Sequence, residues 1–421
     1  MPTVLGIIRP PGTNNDMLPE SDETRGVTSV DTGTVPVSQD TGTVPVSTVP
    51  GRALFSAAQA PRLAIQGFVA SRLILLLVAL IMVWLNGWSL ADPLSRWDAS
   101  HFMGISRDGY TTLTEAAYFP GVPMLMAALH LIGLPAVISG MLISLAGSAL
   151  AAWALYRLAG GSLRGTIAVL AWSFAPMAVF TFVPYTEAAF CAAAFWAFWF
   201  AKRDRWGTAA ALAAFACTTR VSGLFLIGAL GLVALVGIGG SPWRDRLRRV
   251  AWLGMPVAVL AAYAVFLRLR FGSWTIWFQA QVEGWGRRFD WPWNALATTL
   301  RVAGITEPSD TGWAAMFRWE LAVWLVGLAV AVFLLVRRKW PEGAWIGVQV
   351  VVMSCQVWLI SVTRALLLWF PVFTLIGAFA ARGPAGVPVL VRRAGFLLFF
   401  VMEAAAMVWW AVLFFAGAWA T

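Results

Sequence analysis

Long apolar runs occupy most of this chain, and they decide which folds are open to it. Windows of about 20 residues, the length that crosses a bilayer as a helix, are predominantly apolar in about eleven stretches. These lie near 63–87, 136–158, 165–183, 186–201, 206–219, 221–238, 250–269, 319–337, 343–361, 365–381 and 394–417. The sequence therefore predicts an all-α polytopic membrane protein with about eleven transmembrane helices.

The composition supports this class and excludes a soluble one. Hydrophobic residues make up 60% of the chain and charged residues 12%, against about 45–50% and about 25% in soluble proteins. The formal charge of +10 would suit nucleic acid, but the basic residues form short clusters between apolar runs. We therefore interpret them as topology signals and expect membrane lipids, not nucleic acid, as the surroundings of the chain.

The stretch 118–134 decides the topology. It is apolar but short, and Pro120 and Pro123 would interrupt a helix. If it lies at the interface and the N-terminus is cytoplasmic, the inner loops collect eighteen arginines and lysines and three acids, Asp204, Asp245 and Glu342. If it spans, the basic clusters move outside, against the positive-inside bias. We therefore predict a first external loop at 88–135, a long external loop at 271–317 and an external C-terminus.

The N-terminal residues have a different composition. The octapeptide DTGTVPVS occurs at 31–38 and again at 40–47, among Thr, Ser, Pro, Gly and Asp. Such a segment buries too little apolar surface to offset its conformational entropy. We expect 1–60 to be a disordered cytoplasmic tail without a cleaved signal peptide, and 61–421 to form one transmembrane domain.

The first external loop carries the first candidate site residues. Its sequence LSRWDASHFMGISRDGY (94–110) places Asp98, His101 and Asp108 next to the membrane. His101 lies one helical turn after Asp98, so the two share a face on a helix. Other interpretations are open: Asp98 as a helix cap, His101 as a hydrogen-bonded loop residue, and Asp108 as the cap of a turn before Gly109.

Arginines at the predicted outer surface form the second candidate group. Arg220 and Arg364 lie at outer helix ends, against the positive-inside bias, and Arg287 and Arg288 lie in the long loop. A guanidinium matches a phosphate by charge and by bidentate hydrogen bonding. Snorkelling to the interface is the alternative for the first two. Glu187 begins a helix, where the dipole favours an acid. Together these residues suggest sugar transfer from a lipid-phosphate carrier.

Four sequence blocks carry a family resemblance. RWDASHFMGISRDGY with the following YFPGVP, then VPYTEAAF (183–190), CTTRVSGLFL (217–226) and TRALLLWFP (363–371), resemble the PIG-V family of mannosyltransferases, which add the second mannose in GPI assembly. The tryptophan-rich composition is similar to the bacterial branch. The resemblance implies a GT-C glycosyltransferase fold, an active site on the external face of the plasma membrane, and juxtamembrane helices in the first loop, of which 118–134 is the second.

The resemblance also implies roles for residues. Asp98 would be the general base of an inverting transfer from a polyprenyl-phosphate-mannose donor to a glycolipid or glycan acceptor, forming an α-1,6 linkage, with no cofactor and no metal. The substrate-binding candidates are His101, Asp108, Tyr185, Glu187, Arg220, Arg287, Arg288 and Arg364. We expect the Arg220 and Arg364 guanidiniums to lie about 10 Å or more from the Asp98 carboxylate, since a mannosyl phosphate of about that length has to fit between.

Two other functions fit the same residues. A GT-C enzyme that transfers another sugar, such as arabinose or glucose, would need the same carboxylate and arginines. A lipid or glycolipid flippase would also be polytopic, although it should show internal repeats or broken helices at the midplane. The sequence shows no convincing repeat among its spans, and its polar residues gather towards one face.

Overall fold

The computed structural model describes residues 59–236, 241–309, 312–382 and 387–418. Almost all of the predicted tail, 1–60, lies outside these residues. In chain order the α-helices are α1 (Ala60–Asn86), α2 (Ala91–Leu94), α3 (Asp98–Asp108), α4 (Gly121–His130), α5 (Ala136–Leu158), α6 (Ser162–Ser173), α7 (Glu187–Ala201), α8 (Trp206–Cys217), α9 (Ser222–Val236), α10 (Trp243–Trp252), α11 (Gly254–Phe271), α12 (Ile276–Trp285), α13 (Pro292–Val302), α14 (Ala314–Val336), α15 (Trp340–Ser354), α16 (Val362–Ala365), α17 (Phe370–Arg382) and α18 (Val389–Phe415). Short 3₁₀ helices cover Thr114–Ala117, Pro176–Thr181 and Leu366–Leu368.

The all-α polytopic class is confirmed. Five helical stretches of the described chain are long and apolar enough to cross a membrane: α1, α5, the continuous α10–α11 stretch, α14 and α18. The bent pair Val362–Leu368 and Phe370–Arg382 is a sixth if it counts as one span. The helices α4, α7, α8 and α9 are apolar but shorter. The number eleven therefore stays a prediction.

The stretch 118–134 forms a helix too short to span. α4 has 10 residues, about 15 Å of helix against a hydrocarbon core of about 30 Å. Pro123 lies in its first turn, where proline is tolerated. Gly121 packs directly on the chain after α8: its N–H donates to the Thr218 carbonyl, and a Cβ there would lie 2.2 Å from the Thr218 hydroxyl oxygen. This contact fixes the first loop against the residues that precede Arg220.

The long loop 271–317 is more structured than the sequence suggested. It contains α12 and α13, which a search for apolar windows of about 20 residues does not detect. α12 packs against the 3₁₀ helix Thr114–Ala117 of the first loop. The connection between α12 and α13 is attached to α15 through the Asp290 N–H, which donates to the Cys355 carbonyl at 3.2 Å.

The two ends of α7 separate the predicted inner residues from the predicted outer ones. At its C-terminal end, Lys202 forms an ion pair with Glu342, and nearby Asp204 lies 2.6 Å from Arg249. All four residues belong to loops predicted to face the cytoplasm. At its N-terminal end, Glu187 lies among residues predicted to be external. Residues predicted to be internal and residues predicted to be external therefore lie at opposite ends of α7, and the orientation in the membrane stays a prediction.

A helix break separates α16 from α17. The two helical stretches meet at 68°, which leaves backbone carbonyls without helical partners. Buried side chains donate hydrogen bonds to two of these carbonyls. The Leu367 carbonyl accepts from the Trp172 indole N–H at 3.0 Å and from the Cys191 thiol. The Leu368 carbonyl accepts from the Trp345 indole N–H at 3.0 Å. The short helix that carries Arg364 is thereby held in place.

Candidate active site

A cavity of about 590 Å³ lies where the first loop, α9, α12, α15 and α16 meet. This volume is in the range of small-molecule sites, about 300–1,000 Å³. The polar residues that line it in the described chain are Asp98, Tyr118, Thr186, Thr219, Arg220, Ser222, Gln281, Arg287, Arg288, Gln349, Gln356, Ser361 and Arg364. The remaining lining is largely apolar and aromatic, so the cavity combines polar groups with an apolar surface.

Asp98 is the first residue of α3, and its carboxylate faces this cavity. It accepts a hydrogen bond from the Tyr118 hydroxyl at 3.1 Å and one from the Arg364 Nη1 at 3.0 Å. Its backbone N–H donates to the Tyr185 hydroxyl at 3.1 Å. The start of α3 has no side-chain cap hydrogen bond. The interpretation of Asp98 as a helix cap is therefore wrong.

Glu187 connects Arg220 and Arg364. Its side chain is fully buried at the start of α7, and Oε1 lies 3.0 Å from the Arg364 Nε and forms a second ion pair with Arg220. Arg220 also donates to the Thr186 hydroxyl at 3.0 Å. The two arginine side chains are only 17% and 12% exposed, so snorkelling does not describe them. Both guanidiniums are fixed at the cavity wall by one carboxylate.

The expected gap between base and arginines is wrong for Arg364. The sequence interpretation assumed that a sugar phosphate would separate them, whereas the guanidinium contacts Asp98 directly. The physical reason is electrostatic: a carboxylate and a guanidinium that line the same partly buried cavity stabilise each other by pairing. Any anionic ligand of this site must therefore compete with Asp98 for Arg364.

Arg287 and Arg288 reach the cavity from the segment between α12 and α13. Arg287 donates to the Ser361 hydroxyl at 3.0 Å. Arg288 also lines the cavity, and its side chain is exposed. The sequence-predicted arginines thus come together from three separate parts of the chain, with Asp98 on the same cavity wall.

The pKa values of two loop residues reflect this arrangement. Burial alone would raise the pKa of Asp98, but the positive charge and hydrogen bond of Arg364 and the hydrogen bond from Tyr118 outweigh it and lower the pKa below its ordinary value. Burial, reinforced by repulsion from Arg364, lowers the pKa of Arg287 to about 10. At neutral pH Asp98 is therefore ionised and Arg287 is charged.

Three other predicted site residues lie apart from the cavity wall. His101 stacks on the Tyr118 ring, with centroids 4.9 Å apart, and supports that tyrosine from behind. Asp108 is the exposed last residue of α3, followed by Gly109 in a positive-φ conformation. Tyr185 is buried, and its hydroxyl accepts the hydrogen bond of the Asp98 backbone N–H. A substrate contact by any of them stays a prediction.

Sequence reasoning missed Tyr118, Ser361 and Glu320. Glu320, in α14, is buried, and it accepts hydrogen bonds from the backbone N–H groups of Ser361, Val362 and Thr363. A signal for it existed, since an acid inside an apolar span indicates function. Tyr118 belongs to the quoted family-like block, but nothing in its spacing showed that it would contact Asp98.

Comparison with known proteins identifies similar mannosyltransferases. No family model matches the chain. The chain is similar to GPI alpha-1,6-mannosyltransferase 2. The Homo sapiens protein is 32% identical over 234 residues, 49% of this chain and 45% of the relative. The Mus musculus protein is 31% identical over 198 residues, 42% and 40% of the two chains. The resemblance to PIG-V mannosyltransferases is thus confirmed, although the chain spans less than half the length of these relatives.

Proposed function

We propose that the protein is an integral-membrane mannosyltransferase. It transfers mannose from a polyprenyl-phosphate-mannose donor to a lipid-linked glycan or another external acceptor, with inversion and an α-1,6 linkage. The plasma membrane is its location, with the cavity on the external face and the N-terminus in the cytoplasm. The similarity to two mammalian mannosyltransferases supports the reaction class.

The observation that carries the proposal is the composition of the cavity. One ionised carboxylate, Asp98, and three buried or half-buried guanidiniums, Arg220, Arg287 and Arg364, line one cavity of a membrane protein. The apolar part of the lining suits a polyprenyl chain, and the arginines suit its phosphate. A transfer of this kind needs only these parts: a base for the acceptor, a site for the leaving phosphate and an apolar surface for the lipid.

The reaction is a single displacement. The acceptor hydroxyl oxygen attacks the anomeric carbon of mannose, and the bond from that carbon to the phosphate oxygen breaks, leaving its electron pair on the phosphate. Asp98 takes the hydroxyl proton as general base. Because attack occurs opposite the leaving group, a β-linked donor gives an α-linked product.

Donor binding prepares the base. The donor phosphate competes with Asp98 for Arg364, with which this carboxylate pairs in the structure, and loss of that pairing raises the basicity of Asp98. Arg220 and Arg287 bind the same phosphate and stabilise the negative charge that grows on it in the transition state. The arginines therefore contribute to turnover as well as to affinity.

The test compares two aspartates of the first loop. Asp98→Asn keeps size and polarity but removes the base, and Asp92→Asn makes the same change at an exposed residue of α2 that does not line the cavity. With a synthetic polyprenyl-phosphate-mannose donor, we expect Asp98→Asn to lower turnover by about 10²–10⁴-fold and Asp92→Asn to retain it. Near-parental transfer by Asp98→Asn would disprove the role of Asp98.

The same assay separates the rival functions. The parental protein is incubated with a panel of polyprenyl-phosphate sugars and membrane extract, and products are identified by mass spectrometry. Product from a non-mannose donor alone would identify a transferase for another sugar. Movement of donor across vesicle membranes without any product would identify a flippase.

A further inference from the structure

We propose that Glu320 is a positioning residue for two arginines of the cavity, Arg364 and Arg287. The inference rests on the proposed function only in taking these arginines as phosphate ligands. Glu320 itself is buried in α14 and does not line the cavity. Its effect on a ligand must therefore pass through the residues it holds.

Glu320 accepts hydrogen bonds from the backbone N–H groups at the start of the short helix that carries Arg364. Its Oε2 accepts the backbone N–H groups of Val362 at 2.7 Å and Thr363 at 2.9 Å. Its Oε1 accepts the Ser361 N–H at 3.0 Å and the Thr363 hydroxyl at 3.1 Å. Both carboxylate oxygens are thus used, and all the donors come from three consecutive residues.

The hydrogen bonds hold a strained backbone. Ser361 has φ +62°, a left-handed conformation that is costly for a residue other than glycine. Such conformations persist where surrounding contacts impose them, and they cluster at functional sites. Here the Glu320 carboxylate supplies the contacts, and the kinked backbone aims the following turn at the cavity.

The segment 361–363, which Glu320 binds, positions both arginines. Arg364 follows Thr363 directly, so the orientation of this one-turn helix sets the distance of its guanidinium from Asp98 and Glu187. The Ser361 hydroxyl accepts the Nη2 hydrogen bond of Arg287 at 3.0 Å. One carboxylate outside the cavity therefore fixes guanidiniums that reach the cavity from two separate parts of the chain.

The decisive variant is Glu320→Gln, which keeps the shape but replaces one acceptor oxygen with an NH₂ group that faces N–H donors. Glu403→Gln is the matched control, because Glu403 is also an acid in an apolar helix, α18, and lies outside the cavity lining. We measure the dissociation constant of a short-chain polyprenyl phosphate, which does not require sugar transfer, together with kcat and the donor and acceptor KM.

We expect Glu320→Gln to weaken polyprenyl phosphate binding and raise the donor KM by about ten-fold, a loss of about 1.4 kcal/mol in binding free energy, because the two arginines are less well placed, with the acceptor KM unchanged. Glu403→Gln should match the parent. A Glu320→Gln protein that loses only thermal stability, with parental affinity, would overturn the proposal.

If Glu320→Gln does not fold, Thr363→Val is the second test, because it removes one of the four hydrogen bonds to Glu320. Unchanged affinity for polyprenyl phosphate in Thr363→Val overturns the proposal, and weakened affinity supports it. Failure of the proposed function would show differently, as intact phosphate binding without mannose transfer.

Discussion

At the scale of single residues, the charged side chains at the cavity share ion-pair partners. Arg364 lies between two carboxylates, Asp98 and Glu187, and Glu187 in turn also binds Arg220. Arg220 and Arg364 are thus held by protein carboxylates, and such preorganisation lowers the entropy that side chains lose on binding a phosphate. Titration of these groups is the most direct way to examine the arrangement.

The acid side of the pH profile depends on Arg364. In the parent, the lowered pKa of Asp98 keeps the base ionised, so activity should not fall until the pH drops below the ordinary aspartate range, about 4. In Arg364→Met the effect of burial dominates, the pKa of Asp98 rises, and the acid limb of kcat/KM moves to higher pH. Arg288→Met is the control, because Arg288 lines the cavity without contacting Asp98. An unmoved limb in Arg364→Met would contradict the ion pair.

Donor affinity depends on Arg287. Burial lowers the pKa of Arg287, but a guanidinium stays protonated at the pH of any ordinary assay, so its charge is present at neutral pH. Arg287→Met should therefore raise the donor KM, because one positive group of the cavity is lost. Measuring the donor KM of the parent and of this variant checks the statement. A parental donor KM in Arg287→Met would place Arg287 outside the donor site.

The sequence predicted which residues gather, but not how they pair. Asp98 was identified by its position beside the membrane and by the family resemblance, and Arg220 and Arg364 were identified as exceptions to the positive-inside bias. The contact between Asp98 and Arg364 joins residues 266 positions apart, and no local pattern encodes it. The contacts of Tyr118 and Glu320 were missed for the same reason: their partners are set by tertiary packing.

At the scale of secondary structure elements, the break between α16 and α17 depends on buried indoles. Trp345→Phe removes the hydrogen bond to Leu368 and leaves a buried carbonyl unpaired, which costs about 1–3 kcal/mol. Trp196→Phe is a matched control, since its indole N–H also donates to a carbonyl, Leu150, at 3.0 Å, away from the break. We expect both variants to lose stability in thermal unfolding, and only Trp345→Phe to lose donor affinity. Equal affinity in the two would show that the break does not position Arg364.

The predicted apolar segments match the helices closely where one helix fills the window, as in α1 and α5. They fail in the long loop, where α12 and α13 have only ten and eleven residues. These two helices are stabilised by packing and by local signals such as the proline at the start of α13. A hydropathy window detects neither.

At the scale of the whole molecule, sidedness can be tested directly. Labelling with a membrane-impermeant maleimide in intact cells should modify Arg288→Cys, in the predicted external loop, and should modify Lys339→Cys only after permeabilisation. Cys191 and Cys217 are buried, and replacing Cys355 by serine lowers the background. The opposite labelling pattern would invert the proposed orientation while leaving the cavity unchanged.

The shortness of α8 has a consequence for the surrounding lipid. This helix has 12 residues, about 18 Å along its axis, against a hydrocarbon thickness of about 30 Å, and it leaves Leu212 and Phe215 partly exposed. Bilayers respond to such a mismatch by thinning beside the short helix. Under the proposed function, headgroups beside α8 would then lie closer to Arg220, which follows the end of this helix by three residues, and a lipid-linked phosphate would reach the cavity sideways without leaving the membrane.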